Sequence, residues 1–320
     1  MIAGYLSEIA LLFVGIGMLW KGADWIVQSA CRVARRFKLS DAVIGATVVA
    51  LGTSAPEVTV TLVAAWGGRP EISVGNVVGS NIFNLGIILG GCATIWVIPT
   101  TRHLVYRDAM VLLLATLLLM FFLNGDLDGK HAQLDRGECL AMIVLLGSYI
   151  LYLVTRGGVH FETQDDMPEG DATGRDYFTL LLGLAAVIGG AHLLVDSASD
   201  LASLLGLSEW AIGVTIVAAG TSLPELATAL VAAHRGRMGL MAGTLVGSDL
   251  FNVLGVLGLA GLFAPEPLTI VSTDVTLCLS MMAGMVAVLI LFMRTGWRLT
   301  RVEGLLLVAL ALLRWNLDLA

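Results

Sequence analysis

Two glutamates set in matching surroundings are the residues best placed to do chemistry. Glu57 closes the run Gly52-Thr53-Ser54-Ala55-Pro56-Glu57, and Glu225 closes Gly220-Thr221-Ser222-Leu223-Pro224-Glu225. Each lies midway along an apolar stretch, where a bare carboxylate costs about 3 kcal/mol or more, so a functional role is the default reading. Helical spacing puts Ser54 and Thr53, three and four residues back, on the face of Glu57, and Ser222 and Thr221 likewise beside Glu225. Pro56 and Pro224 each remove an amide donor and push away the carbonyl one turn back, while Gly52 and Gly220 loosen the same turn. The expected result is a broken helix that offers carbonyl oxygens beside a carboxylate. Such backbone is tolerated at membrane depth only where protein or a cavity surrounds it.

A second pair of motifs follows each glutamate. These are Gly75-Asn76-Val77-Val78-Gly79-Ser80-Asn81-Ile82-Phe83-Asn84 and Gly243-Thr244-Leu245-Val246-Gly247-Ser248-Asp249-Leu250-Phe251-Asn252. Ser80 and Asn84 are one turn apart, as are Ser248 and Asn252, and the glycines permit close helix contact. Two carboxylates, two amides, several hydroxyls and freed carbonyls make an all-oxygen set, which suits hard cations such as Na⁺ and Ca²⁺. Taken singly, each Ser or Thr reads as helix packing. Duplicated on one face with a glutamate, they read as ligands.

These residues need membrane-spanning elements to hold them. Of the 320 residues, 57% are hydrophobic and 13% charged, and mean hydropathy is +0.89, well below the charge content of soluble chains. About 20 apolar residues cross a bilayer. That ruler gives ten spans, at 5–30, 42–66, 72–98, 108–123, 138–155, 177–204, 210–233, 239–263, 273–293 and 303–319. The first lacks a basic leading region and reads as a span, not a cleaved signal. Loops after the odd-numbered spans hold 13 Lys and Arg and the opposite side holds 4, which places both termini outside and the acidic 156–176 connection in the cytoplasm. The net charge of −7 is dispersed and no basic tract occurs, so nucleic acid is not an expected partner. Cys31, Cys92, Cys139 and Cys278 have no metal-binding or disulfide spacing and read as small core residues.

The chain repeats itself. Residues 39–90 align without a gap to 207–258 at an offset of 168, with 26 of 52 positions identical. Five spans separate equivalent points, and an odd number makes the second copy cross in the opposite sense. The charges agree, since the loop after the first span is rich in arginine and its counterpart at 205–209 has none. The expected fold is an all-α polytopic membrane protein of ten transmembrane helices in two inverted five-helix repeats. Its parts are 1–155, a cytoplasmic linker at 156–176, and 177–320. Secondary transporters with inverted repeats place their site at the repeat interface near the midplane.

The paired sequences GTSAPE with GNVVGSNIFN and GTSLPE with GTLVGSDLFN closely resemble the two alpha-repeats of the sodium/calcium exchanger branch of the calcium/cation antiporter superfamily. The resemblance spans nearly the whole chain. It implies electrogenic exchange of Na⁺ for Ca²⁺, an inner-membrane location, no cofactor and no obligate protein partner. It assigns the coordinating side chains to Thr53, Ser54, Glu57, Ser80 and Asn84 and to Thr221, Ser222, Glu225, Ser248 and Asn252, with carbonyl ligands at Ala50 and Ala218. It also implies that the first helix of each half, carrying Gly22-Ala23-Asp24 and Gly190-Ala191-His192, slides as a gate.

Three positions depart from the pattern. Asn252 stands where some members carry Asp, Asp249 stands opposite Asn81, and Thr244 opposite Asn76. Asp249 lies off the Ser248/Asn252 face, where an interhelical hydrogen bond and a proton role are both open. A calcium/proton antiporter of the same superfamily is the alternative, although Gly75-Asn76-Val77-Val78-Gly79 lacks the acid usual in its third span. An intramembrane hydrolase built on Ser54 would need a base, and no His lies in the second, third or eighth span. Lys21 and Asp24, one turn apart, and Asp196 and Asp200 read as ion-paired or snorkelling ends of their helices.

Overall fold

The computed structural model describes residues 2–37, 39–68, 70–124, 132–156, 173–204, 218–270 and 273–319. Helices dominate. Helix α1 (Ile2–Arg36) is followed by a broken pair, α2 (Ala42–Thr53) and α3 (Ala55–Trp66), and then by α4 (Ile72–Ile95), α5 (Leu104–Leu123) and α6 (Arg136–Arg156). The second part of the chain contributes α7 (Gly174–Leu204), a short turn at Ala218–Gly220, α8 (Leu223–His234), α9 (Met238–Phe263), α10 (Thr273–Arg294) and α11 (Arg301–Leu319). Among the described residues, seven helices are long and apolar enough to cross a bilayer, and an eighth if the bent pair α2–α3 counts as one span. The chain is a multi-pass integral membrane protein. Of the expected segments, most of 156–176 and the start of 210–233 lie outside the described residues.

Two long helices, α1 and α7, pack along each other. Glycine makes this approach possible: a Cβ at Gly22 would sit 2.9 Å from the Gly183 carbonyl oxygen, and one at Gly190 would sit 2.9 Å from the Gly15 oxygen. Those two contacts exchange under the 168-residue offset. Arg32 Nε pairs with Asp176 Oδ1 at 2.5 Å, tying the same two helices beyond the glycine contacts.

Short strands and capping bonds close the ends of the bundle. Strand β1 (Ile98–Pro99) pairs antiparallel with β4 (Arg298–Leu299), and β2 (Ala132–Leu134) with β3 (Leu268–Ile270). Helix α5 starts four residues before the expected span, in a π-helical turn (Leu104–Ala109). Its charges are paired there: Arg107 Nε and Nη2 lie 2.6 and 3.0 Å from the two Asp108 oxygens, and the Tyr149 hydroxyl donates to Asp108 Oδ1 at 2.8 Å. Cys31, Cys92 and Cys139 are buried and form no disulfide among the described residues, as expected of core residues.

Asp24, on α1, pairs with Arg235 at the C-terminal end of α8, lies 3.6 Å from Lys21 Nζ, and accepts from Gln28 Nε2 at 2.9 Å. The ion pairing that the sequence suggested is present, but inside α1 and not at its end.

Candidate cation site

The proline motifs break their helices where the spacing places the break. Helices α2 and α3 meet at Ser54 (φ −79°, ψ 11°) and are bent by 49°. Ser222 has nearly the same backbone (φ −91°, ψ 8°) at the start of α8. Pro56 and Pro224 fall within the first two residues of the helices that follow, positions whose amides have no intrahelical partner. The Leu184 side chain of α7 lies over the first break, 2.4 Å from where a Cβ at Gly52 would be.

The breaks bring the two glutamates to the fully buried interior, where each is engaged by a serine of the opposite motif. Ser54 Oγ donates to Glu225 Oε1 at 3.1 Å, and Ser222 Oγ donates to Glu57 Oε1 at 3.2 Å. Ser248 Oγ adds a second donor to Glu225 Oε1 at 3.0 Å and lies 2.6 Å from Ser54 Oγ. The other oxygen of each glutamate, Oε2, is buried and has no hydrogen-bond partner among the described residues. Buried polar atoms are paired as a rule, so carboxylate oxygens left open at one place are acceptors suited to a cation.

The amides extend the cluster. Asn84 and Asn252 each sit in a π-helical turn (Phe83–Gly90 and Asn252–Val256), a local irregularity frequent at functional sites. Asn84 Nδ2 donates to Asp249 Oδ1 at 2.9 Å, and Asn252 Nδ2 donates to Asn81 Oδ1 at 3.1 Å. Their oxygens, Asn84 Oδ1 and Asn252 Oδ1, are buried and orphaned like those of the glutamates. Asp249 Oδ2 is likewise buried and unpartnered, so within this cluster the open atoms are acceptor oxygens, a donor set that fits a hard cation.

Other expected ligands are turned to different partners. Thr53 Oγ1 donates to the Val49 carbonyl at 3.1 Å, and Ser80 Oγ donates to Val77 O at 3.1 Å while Asn252 Nδ2 reaches it at 3.4 Å. Thr221 is buried at the second break. The Ala50 carbonyl, a ligand by the resemblance, accepts the Ser54 amide at 3.1 Å, and Thr53 Oγ1 lies 3.4 Å from the same oxygen. Ala218 opens the short turn that precedes Ser222. Asp249 makes the interhelical hydrogen bond that the sequence left open for it, whereas Asn81 is a contributor to this cluster that the sequence does not single out. Asp249 does face away from the Ser248/Asn252 side of its own helix, but it faces Asn84 of the other half, and Asn81 Nδ2 donates to its backbone oxygen at 3.0 Å. The shared offset of 81 and 249 was the signal available.

A family model described as sodium/calcium exchanger protein matches residues 7–156 and 176–313. The sodium/calcium exchanger MaX1 of Methanosarcina acetivorans is 32% identical over 333 residues, covering 93% of this chain and 94% of that protein. The inner membrane protein YrbG of Escherichia coli is 35% identical over 267 residues, 80% of each chain. A solved structure of the sodium-calcium exchanger NCX_Mj soaked with zero Na⁺ and Ca²⁺ superposes with a TM-score of 0.84 at 31% identity, covering 98% of this chain and 99% of that one.

Proposed function

The chain belongs to the sodium/calcium exchanger family of membrane antiporters, and from that premise we propose that it exchanges Na⁺ for Ca²⁺ across the inner membrane by alternating access. The ions bind a midplane site built on Glu57 and Glu225. Thr53, Ser54, Ser80, Asn84, Thr221, Ser222, Ser248 and Asn252 complete it, with the carbonyls of Ala50 and Ala218. The observation that carries this reading is the crossed pairing Ser54–Glu225 and Ser222–Glu57, with the second oxygen of each glutamate buried and unpartnered.

Two carboxylates nearly neutralise one Ca²⁺, and Na⁺ ions compete for the same oxygens. An emptied pair of ionised glutamates in a low-dielectric interior is penalised heavily, because burying unpaired charge costs far more than burying a neutralised site. A gate that closes over a loaded site and stalls over an empty one converts this penalty into exchange, since ions leave only when others replace them. The α1–α7 pair is suited to be that gate. It is joined by glycine contacts and Arg32–Asp176 and contributes no expected ligand.

The ten-span reading, though not its orientation, has support from the loop contacts. Strands β1 and β4 belong to the connections after the third and ninth spans, both assigned to the cytoplasm. Strands β2 and β3 belong to those after the fourth and eighth, both assigned outside. The family match also falls in two blocks on either side of 157–175, which suits two repeats joined by a linker.

The test is transport in sealed vesicles with sodium and proton gradients imposed separately. Calcium uptake driven by an outward sodium gradient at fixed pH is expected. Uptake driven by a proton gradient alone would move the protein to calcium/proton exchange, and uptake that follows the calcium gradient alone would make it a channel.

A further inference from the structure

A primary amide can serve a cation only through its oxygen, because its NH₂ group presents positive hydrogens. Asn84 and Asn252 must therefore be held one way round, and the structure contains the means. Asn84 Nδ2 is taken by the Asp249 carboxylate at 2.9 Å. Asn252 Nδ2 is taken by Asn81 Oδ1 at 3.1 Å. Asn81 is itself fixed, since its Nδ2 donates to the backbone carbonyl of Asp249 at 3.0 Å, and a carbonyl can only accept. The chain of donors ends at acceptor atoms of one residue, so neither amide can be reversed without breaking it.

The consequence is visible in what remains: Asn84 Oδ1 and Asn252 Oδ1 are both buried without a hydrogen-bond partner. The pairs 84/249 and 252/81 exchange under the 168-residue offset, so both halves use the same device with different chemistry, a carboxylate acceptor in one and an amide in the other. Resting on the exchange reading above, we infer that Asp249 and Asn81 are positioning residues that hold the amide oxygens of Asn84 and Asn252 toward the transported cation, each acting across the boundary between the halves.

Calcium binding to the purified full chain at equilibrium tests this, with sodium-driven uptake measured on the same preparations. Losing the acceptor leaves a buried NH₂ unpaired and free to turn inward, so Asp249→Leu weakens calcium binding by about tenfold or more. Asn84→Asp in that background restores affinity, because a carboxylate presents oxygen whichever way it turns. Asn81→Leu acts in the same direction but more mildly, because Asn252 Nδ2 keeps a long bond to Ser80 Oγ at 3.4 Å, and it is restored by Asn252→Asp. The exchanged combinations, Asp249→Leu with Asn252→Asp and Asn81→Leu with Asn84→Asp, are not restored. This selective coupling is a response that lost packing does not give.

Asp249→Asn keeps an acceptor for Asn84 Nδ2 and binds within about threefold of wild type, a change of under 1 kcal/mol. If the leucine variants fail to fold, this conservative variant still decides, because a larger loss in it overturns the inference. So does a rescue that is equal in matched and exchanged combinations. A wild-type protein that neither binds calcium nor exchanges it refutes the exchange reading itself. Normal wild-type exchange without selective rescue refutes only the positioning.

Discussion

Replacing either glutamate by glutamine keeps the shape and removes one charge, and the geometry says where the new NH₂ group must go. Glu225 Oε1 accepts from two hydroxyls, Ser54 at 3.1 Å and Ser248 at 3.0 Å, while Oε2 has no partner. In Glu225→Gln the amide oxygen is held by those two donors, so the NH₂ occupies the Oε2 position and faces the cation. Turning the amide over would strip both serines of their acceptor. Glu57 Oε1 accepts from Ser222 at 3.2 Å, a single hydroxyl on that oxygen among the described bonds, so Glu57→Gln can turn at lower cost. In either variant one buried charge is left against a divalent ion. Removing one partner of a buried charge pair costs about 3–5 kcal/mol, which is roughly two to three and a half orders of magnitude in affinity. Equilibrium calcium binding and sodium-driven vesicle uptake should both be lost at ordinary calcium concentrations, and Glu225→Gln should be at least as severe as Glu57→Gln. Near wild-type exchange with normal calcium affinity in either variant would refute the two-glutamate site.

Three further outcomes are expected. A reporter that is active only in the cytoplasm, fused after Ala320, stays silent, whereas a bright signal would invert every loop assignment. Asp249→Asn leaves sodium-driven calcium flux at fixed pH little changed, because the Asn252–Asn81 pair already works with a neutral acceptor; proton-driven flux lost in this variant would make Asp249 the coupling residue instead. Gly190→Val forces a side chain onto the Gly15 carbonyl and Met18 Cβ, both 2.9 Å from its Cβ. It should destabilise the α1–α7 pair by about 2 kcal/mol, read as a lowered thermal midpoint in detergent, and an unchanged midpoint would remove the close-packed helix pair from the argument.

The parts of this molecule legible in sequence are those whose signal is local or repeated. Pro56 and Pro224 announce the two helix breaks because a missing amide acts within one turn, and the breaks fall at Ser54 and Ser222. The prolines say less about which carbonyl is left open. Only their own amides are absent, so the Ser54 amide remains able to close on Ala50 O. The early start of α5 was hidden for an electrostatic reason. Arg107 reads as a loop charge until Asp108 and Tyr149 are seen to pair with it and its neighbour inside the helix. Helical periodicity groups Ser54 with Glu57 and Ser222 with Glu225, yet each serine bonds to the other glutamate. Spacing along one helix describes a face, and it is silent about what faces it.

That crossing bears on mechanism. Ser54 and Glu57 come from the first half and Ser222, Glu225 and Ser248 from the second, and every bond between the two groups runs across the boundary. Neither half holds a complete set of partners, so the two halves must stay docked for the site to exist. The bonds from Asn84 to Asp249 and from Asn252 to Asn81 cross the same boundary. A motion that separated the halves through the centre would break all of these at once. Access can alternate with far less disruption if the docked motifs stay together and another element moves past them. In the proposed exchange helices α1 and α7 suit that requirement, being bonded to each other by Arg32–Asp176 and by glycine contacts. They meet the centre through apolar contact such as Leu184 over Gly52, with the Asp24–Arg235 ion pair to the end of α8 as a polar tie that sliding must break. Apolar contacts have no fixed partner to lose when surfaces slide, whereas the hydrogen-bonded core has many. In the proposed exchange, the division between a polar, cross-linked centre and a glycine-lined pair of helices, tied to its edge by Asp24–Arg235, is what would let the site remain intact while its exposure changes.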